Sequence, residues 1–264
     1  MNTVQDHNRE AWDDRAKRKL AFTNTATEKD FQNPLRALDG AGWMGESVAG
    51  KRVLALGAGG GRQGPLFAAA GALVTVVDVS PAMLEQDRAV AAERGLSLNA
   101  VAASMDDLSM FGDGLFDIVS QPVSTCYVPD VAKVFREVAR VTAPGGLYVS
   151  RHKQPTSLQI DLKPTPLGYV LAEPYYRVGP LPPVPASPLR ESGTLEFLHR
   201  WEELLGGLCR AGFVIEDVLE PKHADPLAPH GSWGHRSSYV SPYIQFKARR
   251  IANANSSAAK LWTP

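Results

Sequence analysis

The chain has 264 residues, with 28 Lys and Arg balanced by 28 Asp and Glu. That neutral balance excludes a protein that holds nucleic acid or anionic membranes through bulk charge. Two cysteines, Cys126 and Cys209, are too few for a disulfide framework or a multi-cysteine zinc site. No run approaches the ~18 consecutive apolar residues of a membrane span. The polar start MNTVQDHNREAWDDRAKRK has no apolar stretch of the kind a signal peptide needs. A soluble, cytoplasmic protein is expected, with enough chain to bury a core unaided.

Residues 5–22 read as a charged helix carrying Trp12, and Thr23–Asn33 as a polar stretch. Helix-like pieces follow near Pro34–Asp39 and Trp43–Val48. Val53–Leu56 is a short apolar strand closed by glycines, and Pro65–Ala72 is the helix after it. Leu73–Val77 is a second strand ending at Asp78. Pro81–Arg94 is a helix with Ser80 as N-cap and Pro81 at its first position. Leu98–Ala102 and Phe116–Val119 are the third and fourth strands. Val131–Val141 has apolar residues at 131, 134, 135, 138 and 141, the spacing of a helix face. Leu147–Ser150 is the fifth strand. Nine of the 20 prolines fall within residues 152–190; the segment YYRVGPLPPVPASPLR there cannot be a helix, and its missing N–H groups disfavour a central strand. A helix is expected at Leu195–Ala211, then a last pair of strands at Phe213–Val218 and Tyr243–Ala248, and a frayed tail, NANSSAAKLWTP.

Strands alternating with helices at this spacing predict an α/β fold with a doubly wound, mostly parallel sheet and right-handed crossovers. Ligands in such sheets bind beyond the carboxyl ends of the strands, so functional residues should follow each apolar run. The glycine-rich turn VLALGAGGGRQGP obeys that rule, and Asp78 ends the second strand 21 residues after Gly57. A carboxylate at that point can accept hydrogen bonds from both hydroxyls of a ribose, and the next helix aims its N-terminus at the turn. Two registers compete. Gly59–Gly64 matches G-x-G-x-x-G, the dinucleotide fingerprint of NAD(P)-dependent oxidoreductases, whereas Gly57–Gly61 matches G-x-G-x-G directly after the strand.

The second register resembles the first motif of class I S-adenosylmethionine-dependent methyltransferases, and the likeness extends over about residues 50–150. VVDVSPAML, ASMDDLS, FDIVSQPVSTCYVPD and REVARVTAPGGLYVS resemble that family's later motifs in order and spacing. Within that family the chain resembles a bacterial subgroup of uncharacterised small-molecule methyltransferases with a GGG-x-Q turn and a PVS-x-C-x-VPDV segment. The resemblance implies a seven-stranded Rossmann-like sheet whose last strand is antiparallel beside the sixth. It also implies S-adenosylmethionine as cofactor, with S-adenosylhomocysteine as product. The implied cofactor-binding residues are Gly57, Ala58, Gly59, Gly61 and Gln63 in the turn, and Asp78, Val79 and Met83 at the ribose and adenine. Met105 and Asp106 would also meet the adenine, and Gln121 and Pro122 the methionine moiety. The family's usual acidic residue two positions before the first glycine is Ala55 here, so the loop must be braced otherwise, by Arg62 or Gln63.

Methyl transfer needs alignment of an acceptor and exclusion of water, and a general base only where the acceptor loses a proton. His152, after the fifth strand, and Tyr127, after the fourth, are the candidate catalytic residues, with Tyr127 also a wall of the acceptor pocket. Trp12 is a candidate lid, and Cys126 reads as an inert buried residue. His223, His230 and His235 have spacings of 7 and 5, which form no helical ligand pair, so no metal site is expected. The expected organisation is a helical cap at 1–49, a cofactor-binding half at 50–151 and a proline-rich insertion or lid at 152–194. A helix and strand pair at 195–250 complete the sheet, and 251–264 form a tail. Tyr169, Tyr175 and Tyr176 in the insertion point to a partly apolar small-molecule acceptor, with monomer and homodimer left open. The alternatives are an NAD(P)-dependent oxidoreductase and a non-catalytic nucleoside-binding sensor or scaffold.

Overall fold

A computed structural model describes residues 3–185 and 187–252; the segment NANSSAAKLWTP, expected to fray, lies outside the described residues. Three helices come first: α1 (Val4–Lys17), α2 (Glu28–Gln32) and α3 (Pro34–Leu38). The alternating unit follows as β1 (Arg52–Leu56), α4 (Gln63–Ala69), β2 (Leu73–Asp78), α5 (Pro81–Glu93), β3 (Asn99–Ala102), β4 (Phe116–Gln121), α6 (Val131–Val141) and β5 (Thr142–Lys153). The remainder holds α7 (Pro155–Gln159), α8 (Gly207–Arg210), β6 (Phe213–Leu219), α9 (Trp233–Ser237) and β7 (Tyr243–Arg250).

All seven strands form one sheet in the order β3-β2-β1-β4-β5-β7-β6. β1 through β5 pair in parallel, and β7 runs antiparallel between β5 and β6. This is the expected doubly wound architecture, and the strand order reverses at β1/β4. The alternation of side chains along each strand separates two cores. Leu54 and Leu56 join Val119, Phe135, Val138, Tyr148 and Phe246 on one face, while Val53 and Ala55 join Phe67, Val76, Leu84 and Ile118 on the other. The predicted apolar stripe of α6 is buried at all five positions, and Asp130 caps the helix by accepting from Lys133 N–H. Ser80 caps α5 by accepting from Met83 N–H at 3.1 Å.

Two predicted helices are shorter or absent. Residues 43–48 form turns, because the Asp39 carboxylate takes the Met44 N–H at 2.5 Å in place of a helical carbonyl. The helix expected at Leu195–Ala211 begins only at Trp201, with a π-helical turn at Glu202–Gly206 running into α8. Residues 195–200 are held out of a helix: Phe197 N–H donates to Cys126 C=O at 2.7 Å, and the Asn8 side chain bonds both Leu195 N–H and C=O. These tertiary partners replace the helical ladder that local pattern favours.

Gly64, in the first turn of α4, lets that helix lie directly on β2. A Cβ there would collide with Val76 Cγ2 and sit 3.1 Å from Asp87 Oδ1. Gly64→Ala is therefore expected to lower the unfolding free energy by about 1–3 kcal/mol, read from urea denaturation.

Candidate cofactor and acceptor site

The carboxyl ends of β1, β2 and β4 border a cavity of about 700 Å³, within the range of small-ligand sites. Its floor is the turn after β1. Gly57 adopts φ 57°, and a Cβ there would meet Ser124 Oγ at 2.7 Å, so the turn can fold this tightly only with glycine. Gly57 directly follows the strand, whereas α4 already begins at Gln63, inside the competing Gly59–Gly64 register. The chain thus folds in the G-x-G-x-G register.

At the end of β2, Asp78 Oδ2 accepts from Gly59 N–H and Oδ1 from Ser80 N–H, both at 2.9 Å. Each oxygen keeps lone-pair capacity for a further donor, and the residue borders the cavity. Surrounding protein pushes this carboxyl up, while the amides of Ser80, Gly59 and Val79 pull it down. Asp87 on α5 reaches the same loop, accepting from Gly60 N–H at 2.9 Å. Burial pushes Asp87 up to about 7, against the pull of the Gly60 and Gly61 amides and with a further rise from Asp78. Asp78 and Asp87 therefore brace the glycine loop that Ala55 leaves without its usual acidic support. Arg62, the expected brace, instead pairs with Asp30 at 2.5 Å and ties α2 to the loop.

Nine of the expected cofactor residues line the cavity: Gly57, Ala58, Gly59, Gln63, Asp78, Val79, Met83, Met105 and Pro122. Three do not. Gly61 packs against Thr25, Gln86 and Val90. The Asp106 carboxylate is taken by Ser104 Oγ (2.5 Å), Gln5 Nε2 (2.9 Å) and Lys133 Nζ (3.4 Å). Gln121 is buried beneath the floor, donating to Ser124 Oγ at 2.9 Å and accepting from Tyr148 OH at 2.6 Å.

The N-terminal helix roofs the cavity, with Gln5, Asn8 and Trp12 among the lining residues. Asn8 Nδ2 donates to Tyr127 C=O at 2.9 Å, and Asp13 Oδ1 accepts from Ser80 Oγ and Ala82 N–H, pinning α1 across the site. Trp12 meets the Tyr127 ring edge-on at 5.5 Å.

At the other end stand Tyr127, Arg151, Glu191 and Tyr243. Tyr127 OH donates to Glu191 Oε2 at 2.7 Å, and the same oxygen accepts from the buried Lys153 Nζ at 2.6 Å. Glu196 and Arg190 complete a cluster of two buried cations and two buried carboxylates. Burial and the Glu191 charge push the Tyr127 phenol well up, so it stays protonated. Cys126 beside it is buried and its thiol is likewise pushed up, hence inert.

His152 departs from its expected role. It points to the α6 core, with rings of Phe246 and Phe135 at 5.0 and 6.1 Å, and its two nitrogens are engaged by Thr125 Oγ1 and Ser150 Oγ at 2.8 Å each. Burial lowers its pKa to about 3, and it lines no part of the cavity. Strand parity explains this: even residues of β5 face the α6 core, while Arg151 and Lys153 face the site. The insertion's tyrosines are also elsewhere. Tyr169 packs on His235 and Tyr239, and Tyr175 on Tyr176. The insertion reaches the cavity through Glu191. Glu191, Arg151 and Tyr243 had no local signal in sequence beyond Arg151's place at the end of an apolar strand.

Residues 54–150 match the methyltransferase domain family. An uncharacterized methyltransferase, YbaJ, of Bacillus subtilis is 33% identical over 237 residues, covering 84% of this chain and 92% of its own. This chain is an S-adenosylmethionine-dependent methyltransferase by family. A crystal structure of such a methyltransferase from Mesorhizobium loti superposes with a TM-score of 0.64 at 26% identity, over 81% of this chain and all of that one. The ubiquinone biosynthesis O-methyltransferase of Bordetella pertussis is 37% identical over 117 residues, 43% of this chain and 47% of its own. The cofactor is S-adenosylmethionine, and the cavity fits it: a glycine floor that a Cβ would fill, a carboxylate with free lone pairs at the β2 end, and apolar walls at Val79, Met83 and Met105.

Asp78→Ala is expected to weaken S-adenosylhomocysteine binding about 10–100-fold by calorimetry, with circular dichroism unchanged; unaltered affinity would place the ribose elsewhere. Asp87 has a folded pKa above its unfolded value, so the stability it contributes is present at low pH and is lost as pH rises through about 7. Urea denaturation from pH 5 to 8 should show the parent losing stability relative to Asp87→Asn across that window.

Proposed function

We propose that this methyltransferase moves the methyl group of S-adenosylmethionine to a small-molecule acceptor held between the glycine floor and the Tyr127–Tyr243 wall. The observation that carries this reading is the cavity lined from Asp78 to Glu191, with Gln5, Asn8 and Trp12 of α1 along it. A roof pinned by Asn8 and Asp13 leaves room for a compact acceptor and does not offer an open groove for a polymer. The neutral chain agrees with that choice. So does the partial likeness to an O-methyltransferase of ubiquinone biosynthesis. No helix among the described residues is long and apolar enough to cross a membrane, and the free cysteines suit a reducing, cytoplasmic setting.

When bound, the cofactor supplies an activated methyl on a sulfonium, transferred by in-line displacement. The protein's part is to place the acceptor, keep water out and take up a proton where the acceptor gives one up. Asp78, Gly59, Val79, Met83 and Met105 hold the nucleoside end. Trp12 and Tyr127 form a rigid aromatic wall. Tyr127 can accept a proton from the acceptor as its own passes to Glu191, 2.7 Å away, with Lys153 stabilising the carboxylate until that proton arrives.

Calorimetry with S-adenosylhomocysteine and NAD, followed by an acceptor screen with labelled cofactor, tests this. Tight S-adenosylhomocysteine binding and acceptor-dependent label transfer are expected; NAD binding alone, or cofactor binding without any turnover, would overturn it. With an acceptor in hand, Tyr127→Phe is expected to lower kcat by about 10²-fold while S-adenosylhomocysteine affinity stays within a factor of two or so.

A further inference from the structure

Four charged side chains line the cavity: Arg62, Asp78, Arg151 and Glu191. Three are satisfied by the protein. Arg62 is paired with Asp30, Asp78 with the amides of Gly59 and Ser80, and Glu191 with Lys153. Arg151 has no carboxylate partner among the described residues. The Gln245 side-chain oxygen, on the neighbouring β7, can accept from its Nε (3.1 Å) and Nη2 (3.0 Å). That contact steadies the guanidinium but does not neutralise it, and it leaves most of the fork's donors free.

The surroundings leave this charge without a counter-ion. Arg151 is exposed along the cavity wall, and the protein atoms around it lower its pKa. Its neighbours pull both ways: Tyr243 favours its charge, Arg62 disfavours it, and Arg151 in turn adds to the lowering of His223. A guanidinium crowded by protein, close to other basic groups and without a counter-ion is stabilised when a ligand brings one.

Its place in the sheet says which end of the cavity is served. Ser150 pairs with Gln121 at the end of β4, so Arg151 stands one residue past that strand. β5 lies two strands from β1 and three from β2, about 10 Å and 14 Å at ordinary strand spacing. The cation is therefore remote from the ribose end, on the wall with Tyr127 and Tyr243.

We propose that the acceptor is a small organic acid, an apolar or aromatic body bearing a carboxylate, and that Arg151 is the specificity-determining residue that receives the carboxylate. The proposal rests on the methyl-acceptor reading above and names its substrate class. Trp12, Phe22 and Tyr243 supply the apolar surface for the body, and the planar fork suits a planar two-oxygen anion.

The test titrates matched probes into protein saturated with S-adenosylhomocysteine: 4-hydroxybenzoate against 4-hydroxybenzamide, and hexanoate against hexanamide. At least one acid is expected to bind about tenfold tighter than its amide. Arg151→Gln should abolish that preference and Arg151→Lys should keep part of it. Equal affinity within both pairs, no binding of either acid at millimolar concentration, or a preference that survives Arg151→Gln overturns the proposal. A loss of S-adenosylhomocysteine affinity in Arg151→Gln also overturns it, since the guanidinium would then serve the carboxylate of the cofactor. Failure of the parent to bind S-adenosylhomocysteine overturns the methyltransferase site itself and this inference with it.

Discussion

The site depends on how the Asp78 carboxylate is held at the end of β2. Two amide hydrogen bonds, from Gly59 and Ser80, fasten one carboxylate to the glycine loop on one side and to the start of α5 on the other. The loop then stays flat against the strand ends, and α5 begins where Ser80 can cap it. Asp87, one and a half turns along α5, adds a second acidic hold on the Gly60 amide. The usual acidic brace before the first glycine is Ala55 here, buried in the core. The acidic support comes from α5 and not from β1, with burial raising the proton affinity of the carboxyl that provides it.

The opposite end of the cavity is built by a different means. Lys153, Arg190, Glu191 and Glu196 form a buried, charge-balanced cluster that joins β5 to the C-terminal end of the proline-rich insertion. Such clusters contribute little net stability, but removing one member strands the others without water, typically at a cost of about 3–5 kcal/mol. Their effect here is to fix the position of Glu191 and, through it, the Tyr127 hydroxyl. Position is what group transfer demands. The insertion thus acts on the site through one anchored carboxylate, and its tyrosines stay outside.

Legibility in the sequence followed the range of the interactions involved. The alternating strands, the capped α5 and the apolar stripe of α6 are local patterns, and each stands at or near its predicted position. The glycine turn and Asp78 were legible too, because tight turns and strand ends impose residue types at short spacing. Residues 195–200 read as helix, since their local composition allows it. Asn8 and Cys126, far away in the chain, provide hydrogen bonds that hold the segment out of a helix. His152 was misread as a site residue for a similar reason: its place after a strand was visible, but its facing was not.

By itself, the sequence determined a doubly wound sheet, a carboxylate at the end of β2 and a glycine floor, because strand periodicity, capping and turn chemistry act over a few residues. Composition also determined that the chain as a whole carries no net charge. Only the tertiary structure decided which charges the cavity keeps. Arg62, Glu191 and Asp78 find partners within the fold, whereas Arg151, one of 28 basic residues in a neutral chain, faces the cavity with no carboxylate partner among the described residues. Net charge sums over the whole molecule, but binding responds to the few charges that folding leaves unpaired at one surface.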